Sequence, residues 1–545
     1  MIQYIVFSPD CQFPSANVSR IVDKDSRIPS LQKKVDCYNI YCEKSRKIWK
    51  GFIDMKRRIL CVLLCAMMLS SACVGCSHDE LPTETEAVKQ TEVTLPQETL
   101  PAETEKVRDS ADLPDKTLDG YTFRILSKQE WNPATPSSIL VVAEEETGEL
   151  LNDTIYKRNL HLMETYDFEF SIAYNGSTAA VIQNSIRGNL DEYDLAAHDV
   201  SHGSREALTG IYMDLHDVPY VSLEKSYWDQ NMQRDLSIRG KYYQVCGDIF
   251  FTDEDAIMVT LYNKPLADDY GLENLYSVAR EGKWTVDKMQ ECISKVISDL
   301  NGDGVYGDQD VTGLMYANNS VLLPYFAAAD VRLVVKDETD TPVLNDDLEE
   351  LERVYSTMQQ MYQSSGYCLD WLSQTANTVP ALVSLVNNKQ ILFQNMITSF
   401  LRRNYRDVEA DFGILPMPKF SEEQDVYSSS YNIEAMQGGF VPITIKDIDT
   451  VGFILEAMAD ASGELTDAYN EVCLSSKYTR DKESYEMIKL AKENIVLDLA
   501  FIYDFGGMGM RLSGAIRKGM PFVSTHATGS KAAETAIEKF LAEQK

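Results

Sequence analysis

Between residues 117 and 200 the apolar positions alternate between two spacings. Tyr121, Phe123 and Ile125 occupy every second position of YTFRIL, which predicts a strand. Residues 149–165 then place Leu151, Ile155, Leu162 and Met163 near helical spacing. FEFSIAY, with Phe168, Phe170 and Ile172, returns to period two. Gly176-Ser177 opens a second helix carrying Ala180, Ile182 and Ile186, and YDLAAHD over 193–199 is a third strand. The order β-α-β-α-β predicts a parallel, doubly wound sheet, whose ligands sit beyond the carboxyl ends of the strands. The loops after the first and third strands carry Trp131 and His198-Asp199.

A second α/β unit follows. AIMVTLYNK over 256–264 is an apolar strand. The stretch 284–300 is a helix with Trp284, Met289, Ile293 and Ile297 on one face and Thr285 as N-cap. Further strands are expected at 391–395, 412–418 and 440–444, and helices at 449–461 and from Ala532 to the end.

The front of the chain has another character. Lys56, Arg57 and Arg58 precede an apolar run of 11 residues, Ile59 to Leu69, then Ser70, Ser71, Ala72 and Cys73. A basic start, a short apolar stretch and small residues make a secretory signal peptide over 55–72. The run is too short to span a bilayer, which takes about 20 residues. A cysteine directly after small residues resembles the bacterial lipobox, in which that cysteine is diacylated. Cys73 fits best, and Cys76 is the alternative. Met55 then reads as the true start and residues 1–54 as an over-extended, unstructured leader. Residues 73–116 are rich in Thr, Glu and Pro and bury too little to fold, so they read as an acidic tether.

Charge and cysteines shift at the same place. The formal net charge is −33, yet residues 1–72 hold 12 basic and 6 acidic side chains. The body is therefore strongly anionic, which disfavours phosphate backbones and hence nucleic-acid binding. Seven of the 11 cysteines fall in the first 76 residues. Cys246, Cys292, Cys368 and Cys473 are widely spaced, as buried thiols more than as a disulfide framework.

The loop DLNGDGVYGDQD over 299–310 is the sharpest local motif. Asp299, Asn301 and Asp303 stand at positions 1, 3 and 5, Gly304 at 6, Val305 at 7 for a backbone carbonyl, and Asp310 at 12. A hard cation such as Ca²⁺ takes six to eight oxygens, and this spacing supplies them in a structural role. The Asp at position 12 resembles the dockerin-type variant. The alternative is a solvated Asp/Asn/Gly turn.

Enzyme motifs are absent from the body: no HExxH, GxSxG, Walker A loop or CxxC occurs there. His198 and His202 have i, i+4 spacing without an evident third ligand. Tyrosines number 29, and flat rings beside carboxylates and amides suit sugar faces and hydroxyls, although most aromatics serve the core.

Four segments in this order resemble extracellular solute-binding protein family 1, the maltose-binding-like lipoproteins of bacterial ATP-binding-cassette importers. They are LYNKPLADDYGLENLYSVAREGKWTVDKM (261–289), ADFGILPMPKF (410–420), FVPITIKDIDTVGFILEAMAD (440–460) and YEMIKLAKENIVLDLAFIYDFGG (485–507). The resemblance covers about 117–545 and implies an α/β, two-lobed, periplasmic-binding-protein-like fold, each lobe a mainly parallel sheet flanked by helices, with a hinge between lobes. One lobe is expected at 117–256 plus 393–433, the other at 257–392 plus 434–545. It implies a monomer on the outer face of the cytoplasmic membrane that takes a sugar or oligosaccharide in the interlobe cleft and passes it to a permease, without catalysis. Trp131, His198, Asp199, Asp253, Asn395, Tyr431 and Gln437 are the residues it suggests for the cleft. A surface hydrolase with two placed carboxylates, or a calcium-dependent adhesion lipoprotein, shares the lipobox, aromatics and acidic loop.

Overall fold

The structure, a computed structural model, describes residues 108–128, 141–316, 323–371, 378–405, 408–470 and 479–543. The signal peptide, the lipobox cysteines, Trp131 and Cys473 lie outside the described residues. All the described residues belong to one compact unit.

Eleven strands build two main sheets and a small ribbon. They are β1 (Tyr121–Lys128), β2 (Phe168–Asn175), β3 (Leu195–Asp199), β4 (Met258–Asn263), β5 (Thr312–Tyr316), β6 (Val334–Lys336), β7 (Pro342–Leu344), β8 (Cys368–Asp370), β9 (Ile391–Ile397), β10 (Phe412–Leu415) and β11 (Gln437–Phe440). The first sheet has the order β11-β3-β1-β2, the second β10-β4-β9-β5-β8, and β6-β7 form the ribbon. The helices used below are α1 (Leu150–Tyr166), α2 (Thr178–Gly188), α3 (Val200–Ala207), α4 (Thr252–Asp255), α5 (Val286–Val296), α6 (Leu348–Gln363), α7 (Thr398–Asn404), α8 (Ile448–Asp460), α9 (Lys482–Glu493), α10 (Leu499–Ile502), α11 (Met508–Arg517) and α12 (Phe522–Glu543).

The first β-α-β-α-β unit is as the spacing predicts. β1 pairs in parallel with β2, from Tyr121–Phe168 to Lys128–Asn175, and with β3. Phe123, Ile125 and Leu195 are buried on one face of the sheet with Ile155 and Leu162 of α1, while Ile182 of α2 joins Leu126 and Ala196 in the core of the other face. Parallel pairing does not run through either main sheet. β11 is antiparallel to β3, and β4 is antiparallel to both β9 and β10, while β5 pairs in parallel with β8 and β9. Each main sheet is therefore mixed, with one strand that follows a crossing between the lobes, β11 in the first and β4 in the second, running antiparallel to its neighbours.

The expected lobe boundary is corrected by this pairing. Residues 393–433 were expected with the first lobe, but β9 and β10 are strands of the second sheet. Residues from 434 were expected in the second lobe, but β11 closes the first sheet and α8 covers that lobe. Only from α9 onward, which packs on β10, does the chain return to the second lobe. The apolar run of β9 shows that it is buried, but not which partners flank it. The strand expected at 440–444 is displaced to 437–440, because Pro442 lacks an N–H for the ladder and makes only an isolated bridge to Tyr212. The last helix starts at Phe522, ten residues ahead of Ala532.

The conspicuous tryptophans are core. Trp228 and Trp284 are fully buried, their indole N–H groups donating to Glu456 Oε2 (3.1 Å) and the Pro416 carbonyl (3.0 Å). Thr285 caps α5 as predicted, its Oγ1 accepting from the Lys288 amide at 3.1 Å. Thr285→Ala is expected to lower unfolding stability by about 1 kcal/mol in a denaturant titration; no change would mean that solvent caps the helix equally well.

Candidate functional site

The two lobes are joined by crossing segments that pair with one another. Residues 256–258 leave the first lobe and residues 430–432 return antiparallel to them. The Met258 amide donates to the Ser430 carbonyl (3.0 Å) and the Asn432 amide to the Ala256 carbonyl (2.8 Å), around an Ile257–Tyr431 bridge. A third segment, 494–496, runs parallel to Ser429. A few backbone segments connecting two sheets are the anatomy of a hinge.

A cavity of about 210 Å³ opens at this crossing. Its wall takes Arg205 from α3 of the first lobe, Tyr431 to Glu434 from the returning segment, and Tyr316, Tyr362, Gln394, Asn395 and Phe400 from the second lobe. Phe501 and Asp504 complete it from the segment around α10. Five aromatic rings thus face one space together with three side-chain amides, Gln394, Asn395 and Asn432.

The polar groups are pre-set. Asn395 Nδ2 donates to Tyr325 Oη at 2.7 Å, and Asn395 Oδ1 accepts from Thr260 Oγ1 at 3.1 Å. Gln394 Oε1 accepts from Tyr405 Oη, which leaves its amide N–H groups unassigned. The Arg205 guanidinium donates to the Ile502 (3.0 Å) and Phe501 (3.1 Å) carbonyls and pairs with no carboxylate. Glu434 and Asp504 are exposed and carry no ion pair among the described residues. Tyr362 Oη is buried without a hydrogen-bond partner, and its ring stands edge-on to Tyr316 at 4.8 Å. Burial pushes the Tyr362 hydroxyl well above its usual range, so it stays protonated and able to donate.

Of the residues suggested from the sequence, Asn395 and Tyr431 line this cavity. His198 does not. It lies on β3 inside the first lobe against Phe440, with its Nε2 3.1 Å from Tyr212 Oη. Burial holds its pKa down to about 4, hence neutral. Asp199 is also structural: it caps α3 through the His202 amide (3.0 Å) and holds Lys128 at 2.5 Å. Burial alone would raise its pKa, but Lys128 and His202 hold it at about 2. Asp253 is buried in α4 beside the crossing, and Gln437 lies on β11 with its Oε1 buried and unpartnered. Neither lines the cavity. Period-two reading shows that 198 and 199 end a strand but not which face the ligand occupies.

The residues missed come from segments without a strong pattern. Tyr316 ends β5, a short strand, and Tyr362 lies on α6. Asp504 precedes Gly506-Gly507, and all three have positive φ (52°, 62° and 68°). That glycine pair was the available signal for a special backbone at the cleft.

The acidic loop turns its oxygens on its own backbone. Asp299 accepts from the Gly302 (2.7 Å) and Gly304 (2.9 Å) amides, Asn301 from Asp303 (2.8 Å), Asp303 from Val305 (2.7 Å), and Asp310 from Leu300 (3.0 Å) and Gly307 (2.9 Å). Among the described residues no three carboxylate, imidazole or thiol groups converge as a metal set. Cys246, Cys292 and Cys368 are free thiols.

No family model matches the sequence, and no curated protein matches it. Solved structures do match its fold. A sugar transporter of Rhizobium etli in an open conformation aligns with TM-score 0.53 and 14% identity, over 76% of this chain and 99% of that one. The sugar-binding protein MalE of Xanthomonas citri aligns with TM-score 0.52 and 13% identity, over 78% and 100%. The galacto-N-biose-/lacto-N-biose I-binding protein of a Bifidobacterium longum ABC transporter, in complex with lacto-N-biose, aligns with TM-score 0.51 and 10% identity, over 77% and 98%. The fold is thus the two-lobed, periplasmic-binding-protein-like α/β fold, with almost the whole of each neighbour represented. Among the described residues no helix is long and apolar enough to cross a membrane.

Proposed function

We propose that this chain is the solute-binding component of an ATP-binding-cassette importer, exported and held on the outer face of the membrane by a lipid on Cys73, or alternatively Cys76. It captures a sugar or oligosaccharide between its lobes and hands it to the permease. The observation that carries this reading is the cavity at the lobe crossing, where five rings, three amides and charged groups surround one space. Apolar C–H faces of a sugar leave water for the rings, its hydroxyls replace water on Asn395, Gln394 and the charged rim, and the unpartnered Tyr362 hydroxyl is a further donor for it. Fold neighbours that bind sugars support the same class of ligand. A thermal-shift screen of residues 104–545 against a sugar panel tests it, since a ligand of the native state raises the melting temperature by mass action. A panel without a single shift would count against the sugar reading.

Lipidation has its own test. The double variant Cys73→Ala, Cys76→Ala is expected to leave the membrane fraction for the medium. Persistent lipid labelling of that variant would contradict the anchor.

We further propose a structural Ca²⁺ at the 299–310 loop. Its donors, Asp299, Asn301, Asp303, the Val305 carbonyl and Asp310, are all oxygen, which suits a hard cation, and Gly302 and Gly304 take the positive φ (74° and 77°) of its tight turn. Asp299→Ala with Asp303→Ala is expected to lower the melting temperature more in Ca²⁺ than in chelator, where only the loop's own hydrogen bonds are lost. Equal destabilisation in chelator and in calcium would make the loop a plain turn.

A further inference from the structure

A groove between α11 and α12 differs from the rest of the surface. Its floor is made of small side chains: Gly507, Gly514 and Ala515 on one side, and Ala527, Thr528 and Ala532 on the other. Arg511, Lys518 and Lys531 line it, and no carboxylate does. Several surface cations elsewhere are paired, as Arg280 is with Glu483 and Glu486, Lys288 with Glu291, and Lys389 with Asp269. Arg511, Lys518 and Lys531 are exposed and have no ion-pair partner among the described residues, in a protein with 84 acidic and 51 basic side chains. An apolar rim accompanies them: Met510 and Met520 are each 45% exposed and Val523 is 68% exposed. Met510 also borders the ligand cavity, so the groove reaches the mouth of the cleft.

We propose that this groove is the seat of an acidic, small-residue loop of the importer's membrane permease. The inference rests on the importer reading above and adds the surface that meets the partner. Three uncompensated cations on an anionic body orient the molecule towards a negative partner and set register more than raw affinity. The small floor lets a backbone approach closely, and the exposed methionines supply adaptable apolar contact. A partner seated there touches the wall of the cleft, and so can distinguish the ligand-bound state.

The test uses the full-length chain, returned to cells that lack it. Radiolabelled maltose, lactose, cellobiose and xylobiose are the probes, with affinity for each measured in solution. Arg511→Glu with Lys531→Glu is expected to cut chain-dependent uptake at least tenfold and leave sugar affinity within twofold. Gly514→Leu gives an independent check. A Cβ there meets no atom within 4 Å, so the side chain fills the groove without disturbing the fold, and uptake is expected to fall similarly. Arg511→Lys with Lys531→Arg keeps the charge and is expected to retain uptake. Unchanged uptake in both the reversed and the filled variants would overturn the proposal. So would wild-type dimers, seen by sedimentation and abolished by the same changes, or charge-dependent binding to phosphatidylglycerol vesicles. A wild-type protein that binds and imports none of the four sugars would remove the importer reading itself, whereas normal binding with normal uptake in the variants removes only the docking surface.

Discussion

Tyr316→Ala is expected to lower affinity for the captured sugar about 5- to 150-fold, the equivalent of roughly 1–3 kcal/mol for one lost stacking surface. Tyr316 ends β5 and presents a half-buried ring to the cavity, edge-on to Tyr362 at 85°. Losing that edge contact costs the ligand-free fold only about 0.5–1.5 kcal/mol, so melting without sugar should shift by no more than a few degrees. Tyr362→Phe sharpens the experiment. Its hydroxyl is buried and unpartnered, so removing it leaves ligand-free stability unchanged or slightly higher. A sugar that uses this hydroxyl loses affinity all the same. Calorimetric titration of both variants decides: unchanged affinity in the two would place the sugar elsewhere.

The second large effect concerns the buried acids beside the hinge. Asp253 lies in α4, just before the crossing at 256–258, and its pKa is pushed up to about 8. Burial is the main cause; Lys492 opposes it, while Asp229 and Asp248 add to it. Lys492 is itself paired with Glu254, and the Asp229 Oδ2 is buried without a partner. A carboxyl whose folded pKa lies above its unfolded value holds its proton more tightly when folded. Its contribution to stability is therefore complete below about pH 4 and is lost as pH rises towards 8. Wild-type melting temperature is expected to fall across that window. Asp253→Asn cannot ionise, so its profile should be flatter and it should be the more stable form at pH 8.5. Parallel profiles for the two proteins would show that Asp253 is ionised in the fold.

The sequence carried much of the fold, for reasons visible in single elements. β1, β2 and β3 have alternating or wholly apolar faces because helices cover them, and that periodicity is local. The cap at Thr285 is local too. Pairing is not: nothing within 391–397 says that this strand lies between β4 and β5, so the expected lobe boundary fell on the wrong side of it. The cavity was harder still. Asn395 and Tyr431, two of the residues suggested for the cleft, line it. Tyr316, Tyr362 and Asp504 come from three separate segments that only the tertiary fold brings together. His198 and Asp199 do not line this cavity, and the carboxyl end of a strand has two faces that period-two reading does not tell apart. His198 packs on Phe440 and Asp199 on Lys128.

Isothermal titration of residues 104–545 with the sugar that gives the largest thermal shift tests the central claim most directly. The account predicts saturable one-to-one binding whose heat returns to baseline after each injection, because a capture protein holds its ligand without consuming it. Absence of binding heat from every sugar, or a steady heat flow that continues until the sugar is spent, would contradict it.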